Sequence, residues 1–147
     1  MAENCTLGKV MISEEQIRQR VKELGKQITE DYKGKEVLFI GILRGAVLFM
    51  SDLIREVDLD ARIDFMAVTS YGASTKSSGV VRILKDLDSD IEGMDVIIVE
   101  DIVDSGTTLH YLRDYLLGRK PKSLKICAFL DKPERREADI RADYVGF

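Results

Sequence analysis

The sequence predicts one α/β domain built on a mainly parallel central sheet flanked by helices, and three observations carry that expectation. Val96-Ile97-Ile98-Val99 and Val37-Leu38-Phe39-Ile40 are continuous apolar runs, rich in β-branched residues in the first case, as in strands covered on both faces. Each is followed by a glycine-containing turn and then by helical spacing, over residues 46–56 and 109–117, so strand, loop and helix recur as a unit. At 147 residues and 45% hydrophobic the chain can bury one core, and it has no apolar run near the roughly 20 residues of a membrane span.

Taken in order, the first element is the best signed. Ser13-Glu14-Glu15-Gln16 is a capping box with Ile12 and Ile17 as its hydrophobic staple. Ile17, Val21, Leu24, Ile28 and Tyr32 then make one apolar stripe, expected to pack on the sheet, before Gly34 ends the helix. Gly25 and Thr29 weaken that helix slightly. Strand 37–42 runs into Leu43-Arg44-Gly45 and a helix over 46–56. An alternating strand over 62–68 is followed by a Ser-, Thr- and Gly-rich segment over 69–79 and a short strand over 80–84. Such a polar segment cannot bury a core, and inside a compact domain it is expected to be a mobile lid or disordered. Strand 124–130 ends in Asp131-Lys132-Pro133-Glu134-Arg135-Arg136, and Asp143-Tyr144-Val145-Gly146-Phe147 reads as a last strand. His110, the only histidine, reads as a helix-surface residue.

The segment Val99-Glu100-Asp101-Ile102-Val103-Asp104-Ser105-Gly106-Thr107-Thr108 carries the chemistry. Open α/β sheets bind ligands at the carboxyl ends of their strands, and a helix starting there directs free N–H groups and its positive dipole end at the loop. Gly106 lets backbone approach an anion, and Ser105, Thr107 and Thr108 add hydroxyl donors, which makes a phosphate cradle without a cation. No Gly-Lys-Ser or Gly-Lys-Thr occurs, so this is not a Walker loop. Glu100 and Asp101, if the strand ends at them, can both accept from a sugar diol or approach a hard Mg²⁺ ion. Asp104, beside the loop, is the candidate for moving a proton. Two other readings exist: a plain helix cap by Asp104 or Ser105, which leaves the acid pair unexplained, and an acidic metal cluster on a helix, which the β-branched run and Gly106 oppose.

These residues closely resemble the phosphoribosyl-diphosphate signature of the type I phosphoribosyltransferases, and of the bacterial hypoxanthine-guanine phosphoribosyltransferases in particular, over nearly the whole chain. The resemblance implies that Ser105, Gly106, Thr107 and Thr108 hold a 5′-phosphate. It implies that Glu100 and Asp101 contact ribose hydroxyls and assist the metal, and that Asp104 is the base at purine N7. Leu43-Arg44-Gly45 resembles the family's diphosphate loop, with a cis peptide between Leu43 and Arg44; Arg44 stands where Lys is commoner, and a solvated loop arginine is the other reading. Ser70 and Tyr71 resemble the flexible loop that closes over the diphosphate, excluding water from a reactive sugar. Lys132 would donate to the exocyclic oxygen of a 6-oxopurine, the other reading being a surface lysine paired with Asp131. Arg136 resembles a second diphosphate contact, with Arg135 an equal candidate.

The reaction implied is transfer of phosphoribosyl from phosphoribosyl diphosphate to N9 of hypoxanthine or guanine, with Mg²⁺, giving IMP or GMP in purine salvage. Alternatives are a relative acting on xanthine or a pyrimidine, and a regulator on the same fold that senses phosphoribosyl diphosphate or binds RNA. A net charge of −4 disfavours generic nucleic-acid binding. Cys5 and Cys127 lack metal-ligand spacing and read as reduced thiols, which with no evident signal peptide suggests the cytoplasm. The family commonly forms homodimers or homotetramers. Its members also continue past the position of Phe147 with a tail that helps build a hood over the site. The expectation is therefore a fragment of a longer enzyme, since ending on Val145 and Phe147 would leave an apolar edge unprotected, the alternative being a shortened protein with impaired base recognition. Either way it is one domain over 1–147 with a hood segment at 1–35, a core at 36–147 and the hood incomplete.

Overall fold

The computed structural model describes residues 8–70 and 81–147. The elements run α1 (Glu14–Asp31), β1 (Glu36–Leu43), α2 (Val47–Arg55), β2 (Asp60–Ser70), β3 (Val81–Lys85), β4 (Asp95–Val103), α3 (Thr107–Leu117), β5 (Ser123–Asp131) and β6 (Tyr144–Val145), with a 3₁₀ turn at Pro133–Arg135. The strands form one six-stranded sheet in the order β3-β2-β1-β4-β5-β6, parallel throughout except between β2 and β3.

Successive residues of the central strands serve opposite faces. Val37 and Phe39 of β1 and Ile97 and Val99 of β4 pack with α1 and α2, while Leu38, Ile40, Val96 and Ile98 pack with Leu109, Leu112 and Leu116 of α3. Both faces are therefore cores, which is why these strands show no alternation with polar residues.

The α1 capping box forms as expected, with Ser13 N donating to Gln16 Oε1 (2.8 Å) and Gln16 N to Ser13 Oγ (3.1 Å). Gly25 and Thr29 are more than the weak points their propensities suggest. A Cβ on Gly25 would lie 2.5 Å from the Glu56 carbonyl oxygen. Thr29 Oγ1 donates to Gly25 O (2.7 Å) and accepts from Asp58 N (3.0 Å). Both residues dock α1 on the end of α2.

β2 runs to Ser70, beyond the end its alternation predicts, because Thr69 and Ser70 pair with Arg82 and Val81 of β3. Tyr71 and the rest of the segment read as a lid lie outside the described residues. At the other edge, Gly146 N and Phe147 N donate to Ala128 O and Phe129 O, each at 2.8 Å, so the parallel ladder continues past β6. Arg20 of α1 donates to Val145 O (2.6 Å) and Gly146 O (3.0 Å), and Phe147 sits edge-on against Phe129. Arg20 and Phe129 thus cover part of this edge, while Phe147 stays 37% exposed. Among the described residues no helix is long and apolar enough to cross a membrane.

Candidate active site

β1 and β4 are neighbours, yet the chain leaves β1 towards β2 on one side and β4 towards β5 on the other. This is the topological switch point, where open α/β sheets leave a crevice at the strands' carboxyl ends. Two loops converge there. The loop after β1 carries the cis Leu43–Arg44 peptide and exposes Arg44 and Gly45. A Cβ on Gly45 would overlap the Asp101 carboxylate, so glycine is what allows this loop to touch β4.

β4 does not end at the acid pair, as the sequence suggested, but continues to Val103. What ends is its ladder with β1, whose last pair is Gly41 with Val99. Just beyond, the freed amides turn to the acids themselves: Asp101 N donates to Glu100 Oε1 (3.0 Å) and Ile102 N to Asp101 Oδ1 (2.7 Å). Burial pushes the Glu100 carboxyl up to about 8, helped by proton sharing with Asp101 and by its charge, and opposed by the Asp101 amide. No group of three or more His, Cys, Asp or Glu among the described residues is placed to hold a metal ion. Two adjacent carboxylates still suit a hard divalent cation that arrives with substrate oxygens as its remaining ligands.

Past β4, Gly106 takes φ +81° and opens α3 without a side-chain cap of its own. Thr107 N makes only a long 3.4 Å contact with Ser105 Oγ, which itself lies 3.1 Å from Thr107 Oγ1. Ser105 thus supplies a weak cap of the kind the alternative reading allowed, and a cleft of about 150 Å³ beside the start of α3 is lined by Glu100, Asp104, Ser105, Gly106 and Thr108. A larger recess of about 400 Å³ lies between α1 and α2, away from all of these groups. Asp104 is half-exposed, with Oδ1 shielded from solvent and 3.0 Å from Arg135 Nε. That contact is an ion pair out of line for a hydrogen bond.

Lys132 is exposed, and its N donates to Val103 O (2.9 Å), which sets the end of β5 beside the loop after β4. It does not pair with Asp131, whose carboxylate is taken by Arg136. Arg136 requires a correction. Its guanidinium is largely buried and spent on Asp131, on Asp104 O (3.1 Å) and on Ile140 O (2.6 Å), so it is not free to meet a diphosphate. Arg135 is the exposed one of the two. Nothing in the local sequence distinguishes the two adjacent arginines. His110 stands on α3 with Nδ1 3.5 Å from Asp114 Oδ2, a surface pair.

A mainly parallel sheet whose switch point brings together a glycine-hydroxyl loop, an acid pair and a third acid is the arrangement expected of a phosphoribosyltransferase. Residues 11–147 match the phosphoribosyl transferase domain, and the chain belongs to that family. It is 55% identical over 141 residues to the hypoxanthine-guanine phosphoribosyltransferase of Bacillus subtilis (strain 168), covering 96% of this chain and 78% of that protein. It is 52% identical over 140 residues to the hypoxanthine phosphoribosyltransferase of Escherichia coli (strain K12), covering 94% and 79%. The crystal structure of a hypoxanthine-guanine phosphoribosyltransferase from Bacillus anthracis, with HEPES in its active site, superposes with a TM-score of 0.92 at 50% identity over 97% of this chain and 85% of that one.

Proposed function

We propose that this protein transfers the 5-phosphoribosyl group from phosphoribosyl diphosphate to N9 of hypoxanthine or guanine, releasing diphosphate and giving IMP or GMP in purine salvage. The observation that carries the reading is Asp104: a half-exposed carboxylate beside the start of α3, on the cleft at the switch point. In this reading the Ser105–Thr108 cradle binds the 5′-phosphate, and Glu100 and Asp101 accept from the ribose hydroxyls. Arg44 and the Gly45 backbone meet the diphosphate, with Ser70 at the end of β2 and Tyr71 next to it in sequence also contributing. Lys132 donates to the 6-oxo group. As the C1–diphosphate bond breaks and the N9–C1 bond forms, Asp104 takes or shares the N7 proton, a role worth about 10²- to 10⁴-fold. Mg²⁺, held by Glu100 and Asp101 together with substrate oxygens, would neutralise charge on the departing diphosphate. The cytoplasm is the proposed location and a homodimer or homotetramer the proposed assembly.

The test offers hypoxanthine, guanine, xanthine and adenine in turn to the purified chain with Mg²⁺ and phosphoribosyl diphosphate. Turnover of the first two is expected, and Lys132→Met should cost the 6-oxopurines roughly tenfold or more. Adenine used as well as hypoxanthine would overturn the base assignment. Binding of phosphoribosyl diphosphate with turnover of no base would favour a sensor.

A further inference from the structure

The residues after β5 contact the loop after β4 at several points, and Arg136 ties that loop to its own surroundings. Nε donates to Asp104 O, Nη1 to Ile140 O and Nη2 to Asp131 at the end of β5. Its Cδ lies 2.9 Å from where a Cβ on Gly106 would stand, so the arginine packs flat on the glycine of the phosphate cradle. On either side the backbone does the same work: Lys132 N donates to Val103 O (2.9 Å), and Glu137 N and Ala138 N donate to Ser105 O (2.8 and 3.1 Å). Within the loop after β4 only Ser105 Oγ reaches Thr107, at 3.1 Å to Oγ1 and 3.4 Å to N, and the contacts from beyond β5 hold Asp104 O and Ser105 O.

We propose that Arg136 is a positioning residue that clamps Asp104 to the end of β5, where Lys132 stands. The proposal deepens the reading of this site as a phosphoribosyl transfer centre. A planar guanidinium can serve three acceptors in fixed directions at once, and an ammonium on a flexible stem cannot. Loosening the clamp displaces the proton acceptor relative to the purine while leaving the helix amides and Arg44 in place.

The test is Arg136→Lys, with Arg136→Met as a second variant, in the full chain. Turnover should fall roughly 10- to 100-fold, the effect of an ångström-scale misplacement. The Kd for phosphoribosyl diphosphate with Mg²⁺ should stay within about twofold, and the loss should largely vanish when the same change is made in Asp104→Asn, because the two act as a unit. A much weaker Kd with kcat retained would identify an anion contact and overturn the proposal, as would losses that multiply in the double variant. Absence of turnover in the unsubstituted chain would count against the proposed function itself. Amide exchange then decides the clamp: faster exchange at Glu137 and Ala138 in Arg136→Lys supports it, and unchanged exchange overturns it.

Discussion

Gly106 has two independent reasons to be glycine. Its φ of +81° is one that L side chains rarely adopt, and a Cβ would stand 2.5 Å from Ile140 and 2.9 Å from Arg136. Gly106→Ala is therefore expected to destabilise the fold by about 1–3 kcal/mol, read from urea midpoints, and to weaken phosphoribosyl diphosphate binding together with it. Glu100 adds a pH dependence. Its carboxyl has an ordinary value of 4.5 and in the folded protein holds its proton up to about 8. Between those values the folded state binds one more proton than the unfolded one, so this group's contribution falls as pH rises from about 4.5 to about 8 and levels off above. Glu100→Gln, which mimics the protonated side chain, should flatten that part of the stability profile of the metal-free protein. An unchanged slope between pH 6 and pH 8 would contradict the assignment, the pH values being taken inside that window. At this scale the candidate acids were legible because three carboxylates around a glycine-hydroxyl loop is a chemically unusual pattern. The division of labour between Arg135 and Arg136 was not, because it depends on where Asp131 and two backbone carbonyls fall in space.

Among the elements, α1 and α2 separate local from tertiary information. The capping box and stripe of α1 were legible because their partners lie within a turn or two. The docking roles of Gly25 and Thr29 are not legible from propensity because their partners, Glu56 and Asp58, lie about thirty residues on. Helix propensity alone expects Gly25→Ala to stabilise by up to about 1 kcal/mol. Packing against the Glu56 carbonyl expects the reverse, a loss of about 1–3 kcal/mol. Chemical denaturation of that one variant decides between the two. Strand ends follow the same division. β2 gains Thr69 and Ser70 because β3 pairs with them, and β4 continues past its acids because β5 does, with Ile102 opposite Leu130 and Val103 opposite Asp131.

For the molecule as a whole, the site exists because of sheet order. Only when β4 inserts beside β1 do Gly45 and Asp101 meet, and only the return of the chain after β5 brings Arg136 and Lys132 to the loop after β4. The sheet class was legible from two buried strands each followed by a loop and helix. The strand order was not, since apolar runs do not say which neighbour they take. The central claim is that Asp104 moves the purine proton in this crevice. It is tested most directly by comparing Asp104→Asn with the unsubstituted chain for both hypoxanthine turnover and binding of phosphoribosyl diphosphate with Mg²⁺. The expected result is binding retained within a few-fold and turnover lower by about 10²- to 10⁴-fold. Equal turnover in the two proteins would contradict it.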